Sequence, residues 1–430
     1  MKVIKSYKFR LYPDEEQFAM LLQHGGNTRF TWNKLLEFQN NYHKKSNKYP
    51  NQSLLQKKVI ELKKEFDFLK LSHSQPIQVT AQRLVRTTSN AFEPEKVQER
   101  NKKIAIARNE VNPEKREKKI LKAMNYAFPN FKSKHDCSDS IFYPQNFKIR
   151  KSKIFFAKLG WIKFKKHRKI EGISKFVTIK QEGNQWYVSV SCEINIKERE
   201  IKKDNIIGID LGIKTFAVFS DGNEVANPKH LEKHERNIKI KQRRLNNKTK
   251  WSNGYNKQKG KVQKAHRKVK NVRNDFLHKT THHMINKYDG FILEKLDIRG
   301  MLQDNKKKHK KTQNKNTSDV SWFEFKRILG YKSLWNFKYF EEIDQYEPST
   351  KTCSNCGNVK PMTLANRTYI CPICGLVMDR DYNASLNIIQ MSKLNKTLIT
   401  TASVGTGKNA CGGSSLEDSM KQEKLIQFCN

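Results

Sequence analysis

The chain has 430 residues, with 85 Lys and Arg against 42 Asp and Glu and a net charge of +43. That length predicts two or three domains, and a charge so unbalanced exceeds what solubility requires; it points to a large polyanionic partner, with a membrane surface the weaker alternative. No apolar run approaches the ~18–20 residues of a spanning helix, the opening Met1-Lys2-Val3-Ile4-Lys5 lacks a secretory apolar core, and eight cysteines are too few for a disulfide scaffold.

In chain order, Tyr7, Phe9 and Leu11 alternate with Lys8 and Arg10, the pattern of a half-buried strand that Pro13 stops. Asp14 is placed to cap a helix from about Glu15, and helical spacing continues to about Phe92, broken at Gly25-Gly26. Within it, residues 78–92 form a further helix with Gln78, Gln82 and Arg86 along one face. Those side chains read base edges, or they form an ordinary solvated face. Residues 93–120 are charged throughout, as in a long exposed helix or a partly disordered insert. Strands are expected at 140–149, 153–158, 175–181 and 185–194, the last two joined by the turn Glu182-Gly183-Asn184. The N-terminal half thus predicts a β-domain from residues 1–12 and about 130–200, with a helical part between.

The run from Ile206 to Gly222 (IIGIDLGIKTFAVFSDG) predicts a strand ending at Asp210, a break at Leu211-Gly212, a second strand at 215–220 and an Asp221-Gly222 turn. Both central turn residues are expected at positive φ. A carboxylate at the tip of a buried strand holds a metal ion against a phosphate, or the strand simply ends in Asp. An actin-like nucleotide site opens similarly, but no phosphate-binding glycine loop is paired with Asp210 further on. Residues 233–279 carry 17 Lys or Arg against Glu235 and Asp275 alone. They predict a pair of basic helices that contact nucleic acid, among them Arg243, Arg244, Lys264, Arg267 and Lys268, rather than a merely solvated hairpin. Phe291-Ile292-Leu293 is a second buried strand ending in a carboxylate, Glu294. A Lys-rich stretch at 305–318 reads as a mobile lid or a disordered loop. A helix resumes at Trp322, and residues 338–346 form another strand.

Cys353-Ser354-Asn355-Cys356-Gly357 and Cys371-Pro372-Ile373-Cys374-Gly375 are two knuckles 14 residues apart. Each CxxC puts two thiolates on one tight turn, and two such turns close a tetrahedral site suited to one structural Zn²⁺. Cys137, Cys192, Cys411 and Cys429 have no such partners. Asp379 and Asp381 then lead into a helix with apolar positions Ala384, Leu386, Ile388 and Ile389. One of the two acids caps that helix, which leaves the other for a different task. From 396 to 430 the composition is that of a flexible tail.

In order and spacing, GIDLGIKTFAVFSDG, ILEKLDIRGML, EPSTKTCSNCG, CPICG and MDRDYNASLNI resemble the TnpB (OrfB) proteins of insertion sequences, relatives of the type V CRISPR effectors. KSYKFRLYPDEEQ, FPNFKSK, IFYPQ and KLGWIKF are similar to that family's N-terminal helical and β regions, so the resemblance covers about residues 1–395. It implies an α/β protein with smaller β and helical parts. A RuvC-type, ribonuclease H-like nuclease domain would span 204–350 and 378–395, with a zinc ribbon inserted at 351–377. A wedge-like β-domain would span 1–12 and 130–200, with a helical recognition lobe at 13–129. The implied activity is RNA-guided cleavage of double-stranded DNA, with Asp210, Glu294 and Asp381 holding two Mg²⁺ and the four knuckle cysteines holding Zn²⁺. The guide RNA would come from the element's own end, and the expected setting is a cytoplasmic, nucleoid-associated monomer. The charged insert at 93–120 and the Lys-rich stretch at 305–318 depart from the family pattern. A DNA-strand transposase and a catalytically silent nucleic-acid-binding regulator are the alternatives.

Overall fold

The computed structural model describes residues 1–134, 139–183, 185–302, 308–345, 347–363 and 366–394. The expected tail at 396–430 lies outside them, as do Cys137, Cys411 and Cys429. Two compact units divide the chain, one of Lys2–Asn195 and one running from Ile196 onward with Met1.

In the first unit, β1 (Lys2–Tyr12) buries Tyr7, Phe9 and Leu11 and exposes Lys8 and Arg10, the alternation its sequence dictates. Asp14 caps α1 (Glu15–Ser46) in a reciprocal capping box with Gln17. The helix runs unbroken through Gly25-Gly26, where a break was expected. A Cβ on Gly25 would lie 2.7 Å from the Cβ of Asp139, so glycine is present there for close packing and not to end the helix. α2 (Gln52–Glu65), a short 3-10 turn and α3 (Ser74–Asn90) close a second core around Trp32, Leu35, Leu55, Leu62, Ile77 and Leu84. The charged insert is neither one long helix nor disordered: α4 (Pro94–Arg108) and α5 (Pro113–Met124) each begin at a proline and pack on each other. β2 (Ser140–Tyr143), β3 (Phe147–Arg150), β4 (Lys153–Phe156), β5 (Gly160–Phe164), β6 (Ile173–Glu182) and β7 (Gln185–Asn195) complete an antiparallel sheet in the order β2-β6-β7-β1-β5-β4-β3.

The second unit is built on a five-stranded mixed sheet. β8 (Ile206–Leu211), β9 (Thr215–Phe219), β10 (Glu224–Ala226), β11 (Gly290–Glu294) and β12 (Tyr339–Ile343) stand in the order β10-β9-β8-β11-β12. β8, β11 and β12 are parallel, β9 pairs antiparallel with β8, and β10 pairs antiparallel with β9. The Asp221-Gly222 turn forms with positive φ at Gly222 alone, +82°, and not at both residues as expected. The loop between β9 and β10 has four residues, 220–223, so the paired positive φ of a two-residue turn is not required; within it Asp221 accepts from the Asn223 N–H at 3.0 Å and the Tyr288 hydroxyl at 2.6 Å. α6 (His230–Asn246) and α7 (Asn253–Lys287) are the predicted basic pair. After α8 (Ile298–Met301), residues 308–320 are helical (α9, Lys308–Val320) where a lid or disordered loop was expected. Asp319 accepts from the Leu231 N–H and pairs with Arg273, and Lys315 pairs with Glu235, which anchors the C-terminal end of α9 to α6 and α7. α10 (Trp322–Trp335) and α7 cover one face of the sheet over Ile207, Ile209, Phe291 and Leu293. β13 (Thr368–Ile370) and β14 (Val377–Asp379) form the cysteine-rich hairpin, and α11 (Arg380–Gln390) covers the opposite face through Ile388 against Ile292 and Ile343.

Candidate functional site

Two parallel strands place the first two acids. Ile209 of β8 is in register with Leu293 of β11, so Asp210 and Glu294 follow one residue later, side by side at the carboxyl ends. Side chains alternate along a strand. With Ile207, Ile209, Phe291 and Leu293 directed toward α7 and α10, Asp210 and Glu294 fall on the α11 face. Gly208 lets that helix approach: a Cβ there would sit 2.1 Å from the Ser385 carbonyl oxygen.

α11 brings the third acid. Asp379 is its N-cap, accepting from the N–H groups of Asp381 at 2.9 Å and Tyr382 at 3.1 Å. That leaves Asp381 in the first turn with its carboxylate free of capping duty. Its Oδ1 accepts from Arg380 Nη2 at 2.7 Å and Nε at 3.0 Å, and Arg367 approaches its Oδ2 at 3.8 Å. Burial, then the charges of Asp381 and Glu294, push the Asp210 carboxyl up to about 7, while Arg380 works the other way. Burial also raises Glu294, against a long contact of 3.5 Å from the Ser349 hydroxyl and the charge of Lys326. Asp210 therefore feels the charge of Glu294 and that of Asp381, 171 residues further along the chain (210 to 381). Two negative charges thus act on Asp210, and hard carboxylate oxygens of this kind are the donor chemistry of a divalent cation of the Mg²⁺ class.

The four knuckle cysteines form a tighter group. Among the described residues, theirs are the ligand atoms that all lie within 4.8 Å of one another; the three carboxylates are spread more widely. Cys353 and Cys374 Sγ are 3.6 Å apart, and Cys356 and Cys371 Sγ 3.5 Å. Zn–S bonds of about 2.3 Å in a tetrahedron put sulfurs ~3.8 Å apart, so the cage fits Zn²⁺. Gly357 and Gly375 take φ of +74° and +69°, the turn that each knuckle requires. The Cys374 N–H lowers the Cys371 thiol, toward the thiolate a metal needs, while Cys356, despite an N–H from Asn358, is raised by burial and the neighbouring thiols.

The expected nucleic-acid contacts fall in both units. Gln78, Gln82 and Arg86 are exposed on α3. Arg243 and Arg244 are exposed on α6, and Lys264 and Lys268 are exposed on α7 with Arg267 half-buried. Sequence reasoning missed Arg380, Arg367, Ser349 and Lys326. A guanidinium between two aspartates at 379–381 was the one visible sign of a built-in counter-charge.

Comparisons with known proteins match three stretches to family descriptions. Residues 189–305 match "Probable transposase", residues 322–388 "Cas12f1-like, TNB domain", and residues 1–48 "Helix-turn-helix domain". The last stretch folds here as β1 and the single helix α1. InsQ of Escherichia coli (strain K12), named as an RNA-guided DNA endonuclease, is 29% identical over 403 residues, covering 90% of this chain and 92% of that protein. A protein of Streptomyces pristinaespiralis with the same designation is 27% identical, over 90% of this chain and 89% of its own length. The TnpB-like protein L770 of Acanthamoeba polyphaga mimivirus is 28% identical over 53% of this chain and 45% of its own. Among solved structures, a Cas12f1–sgRNA–target DNA complex aligns over 90% of this chain and 98% of the other, at 15% identity and a TM-score of 0.45.

Proposed function

We propose, from the premise that this chain is a protein of the TnpB (OrfB) insertion-sequence family, that it is an RNA-guided DNA endonuclease. The observation that supports the chemistry is that Asp210 and Glu294 stand at adjacent strand ends while Asp381, at the start of α11, is near enough for its charge to raise Asp210. We read residues 204–350 and 378–395 as a RuvC-type, ribonuclease H-like domain and 351–377 as its inserted zinc ribbon. Residues 1–12 and 130–200 are the wedge-like β-domain, and 13–129 the helical recognition lobe. The work is that of a protein acting on intracellular nucleic acid, and among the described residues no helix is long and apolar enough to cross a membrane.

Asp210, Glu294 and Asp381 would hold two Mg²⁺ ions, which supply an activated water and charge neutralisation at the scissile phosphate. The chain's own residues set the stage for that. β8 and β11 fix two carboxylates at adjacent strand ends. Arg380 holds Asp381 Oδ1 in a forked contact and offsets the crowded negative charge. The cysteine cage would hold one Zn²⁺ with no position open to substrate, a structural role. Arg243, Arg244, Lys264, Arg267 and Lys268 would neutralise nucleic-acid phosphates, while base pairing of the guide reads the target sequence. Gln78, Gln82 and Arg86 are the candidates for contacts to base edges.

The test is to express the chain with its flanking DNA, sequence the RNA that co-purifies, and offer the particle a duplex matching that RNA. Cutting is expected with Mg²⁺ and lost with chelator. Asp210→Ala, Glu294→Ala and Asp381→Ala should each lower it more than ~100-fold while RNA binding persists. Cutting that ignores chelator or these substitutions contradicts the reading. Transfer of a transposon end without RNA would favour a transposase instead.

A further inference from the structure

Between β12 and the first zinc knuckle, Ser349 to Ser354 touches both candidate metal centres, as does the stretch from Cys374 through β14 to Asp381. At one end the Ser349 hydroxyl approaches Glu294 Oε2 at 3.5 Å. At the other, Cys353 is a ligand of the cysteine cage. The segment is fastened to α11 by two fully buried amides one helical turn apart. Asn387 Nδ2 donates to the carbonyls of Ser349 at 2.7 Å and Thr352 at 2.6 Å. Asn383 Nδ2 donates to the same Thr352 carbonyl at 2.7 Å, and its Oδ1 accepts from the Ser354 N–H at 3.0 Å. Both asparagines and Ser349 are almost wholly shielded from solvent. The same helix carries Asp381 in its first turn.

Helical spacing explains why these positions work together: residues i and i+4 lie on one face, so Asn383 and Asn387 present two amides to one strip of backbone. A buried amide in a helix is costly unless satisfied. Here the donors are satisfied by loop carbonyls, not by the helix itself, and Asn387 Oδ1 is buried with no partner. An apolar residue at 387 would fill the space without that orphaned oxygen. It would, however, leave the Ser349 carbonyl without its Asn387 donor, so the amide is matched to this particular loop.

We propose that Asn383 and Asn387 are positioning residues that lock the Ser349–Ser354 segment to α11, so that filling the four-cysteine site sets the spacing of Glu294 and Asp381. The proposal rests on reading the three carboxylates as one divalent-cation site. Zinc in the cage fixes Cys353, the two amides pass that constraint to α11, and Ser349 passes it to Glu294. Without zinc, or without the amides, α11 keeps its packing on the sheet through Ile388 but loses this second link between the two acids.

The experiment uses the full chain and Mn²⁺ as the probe, read by electron paramagnetic resonance, with zinc content measured in parallel. Asn383→Ala and Asn387→Ala are expected to keep one zinc per chain and to weaken Mn²⁺ binding about ten-fold, as loss of a supporting contact behind a metal ligand does. Ile388→Val, on the same helix but outside the clamp, is expected to lower Tm comparably and leave Mn²⁺ affinity unchanged. If the asparagine variants lose zinc or fail to fold, wild-type protein stripped of zinc by a thiol reagent, with all chelator dialysed away, takes their place. Its Mn²⁺ affinity should fall by the same factor. Unchanged Mn²⁺ affinity in zinc-retaining asparagine variants or in stripped wild type overturns the proposal, as does an equal loss in Ile388→Val. Asp210→Ala tests the premise separately: if it leaves Mn²⁺ affinity intact, the carboxylate site itself is wrong, whatever the asparagines do.

Discussion

At the scale of single residues, the candidate site is a concentration of unfavourable charge. Asp210 is raised to about 7, first by burial and then by Asp381 and Glu294, so its charge is disfavoured in the metal-free fold at neutral pH. Asp210→Asn removes one of the crowded charges at nearly constant shape. It should raise the Tm of the metal-free protein by about 2–4 °C while abolishing cleavage, measured by calorimetry with chelator present; an unchanged or lower Tm would mean the acids do not repel. Asp221 behaves oppositely. Burial works against its charge, but hydrogen bonds from Tyr288, Asn223 and Lys287 hold it down to about 2. A depressed carboxylate stabilises the fold above its unfolded value of 3.8, and that contribution is lost as pH falls through 2. The stability difference between wild type and Asp221→Ala in urea should therefore be constant near neutrality and shrink from about pH 4 toward pH 2.

At the scale of elements, glycines that look alike in sequence do different work. Gly208 admits α11 to β8, and Gly208→Ala would drive a methyl group into the Ser385 carbonyl. It should lower stability by about 2 kcal/mol or more and impair cleavage, because Asp381 rides on the displaced helix. Gly26→Ala meets nothing closer than Arg29 Nη2 at 3.6 Å and should stabilise α1 by about 0.5–1 kcal/mol. Urea titration of both variants separates the two cases. The pair also shows what the sequence made legible. Two buried strands ending in Asp210 and Glu294, the CxxC knuckles and the Asp379–Asp381 helix start could be read directly, because chemistry and periodicity coincide there. The unbroken α1 could not, since the partner that calls for Gly25, Asp139, lies 114 residues away in the sequence. Nor could the helix at 308–320, whose end is held by Arg273 and Glu235. β5 was also missed: Ile162 and Phe164 alternate with Lys163 over too few residues to stand apart from the flanking turn, and its pairing with β1 and β4 makes it a strand.

At the scale of the whole molecule, a net charge of +43 makes polyanion binding the dominant electrostatic fact. Binding of the co-purifying RNA should weaken steeply with salt, and the combined variant Arg243→Ala, Arg244→Ala, Lys264→Ala, Lys268→Ala should flatten the log–log slope by about 3. An unchanged slope would move the RNA away from α6 and α7. Charge alone, however, describes a binder and not a nuclease; the distinction lies in three acids gathered from β8, β11 and α11. The most direct measurement is anomalous diffraction from crystals of the protein soaked in Mn²⁺, with the zinc edge as an internal reference. The account predicts a zinc peak inside the cage of Cys353, Cys356, Cys371 and Cys374, and manganese peaks ligated by Asp210, Glu294 and Asp381. A zinc peak in place with no manganese at the three carboxylates would contradict it.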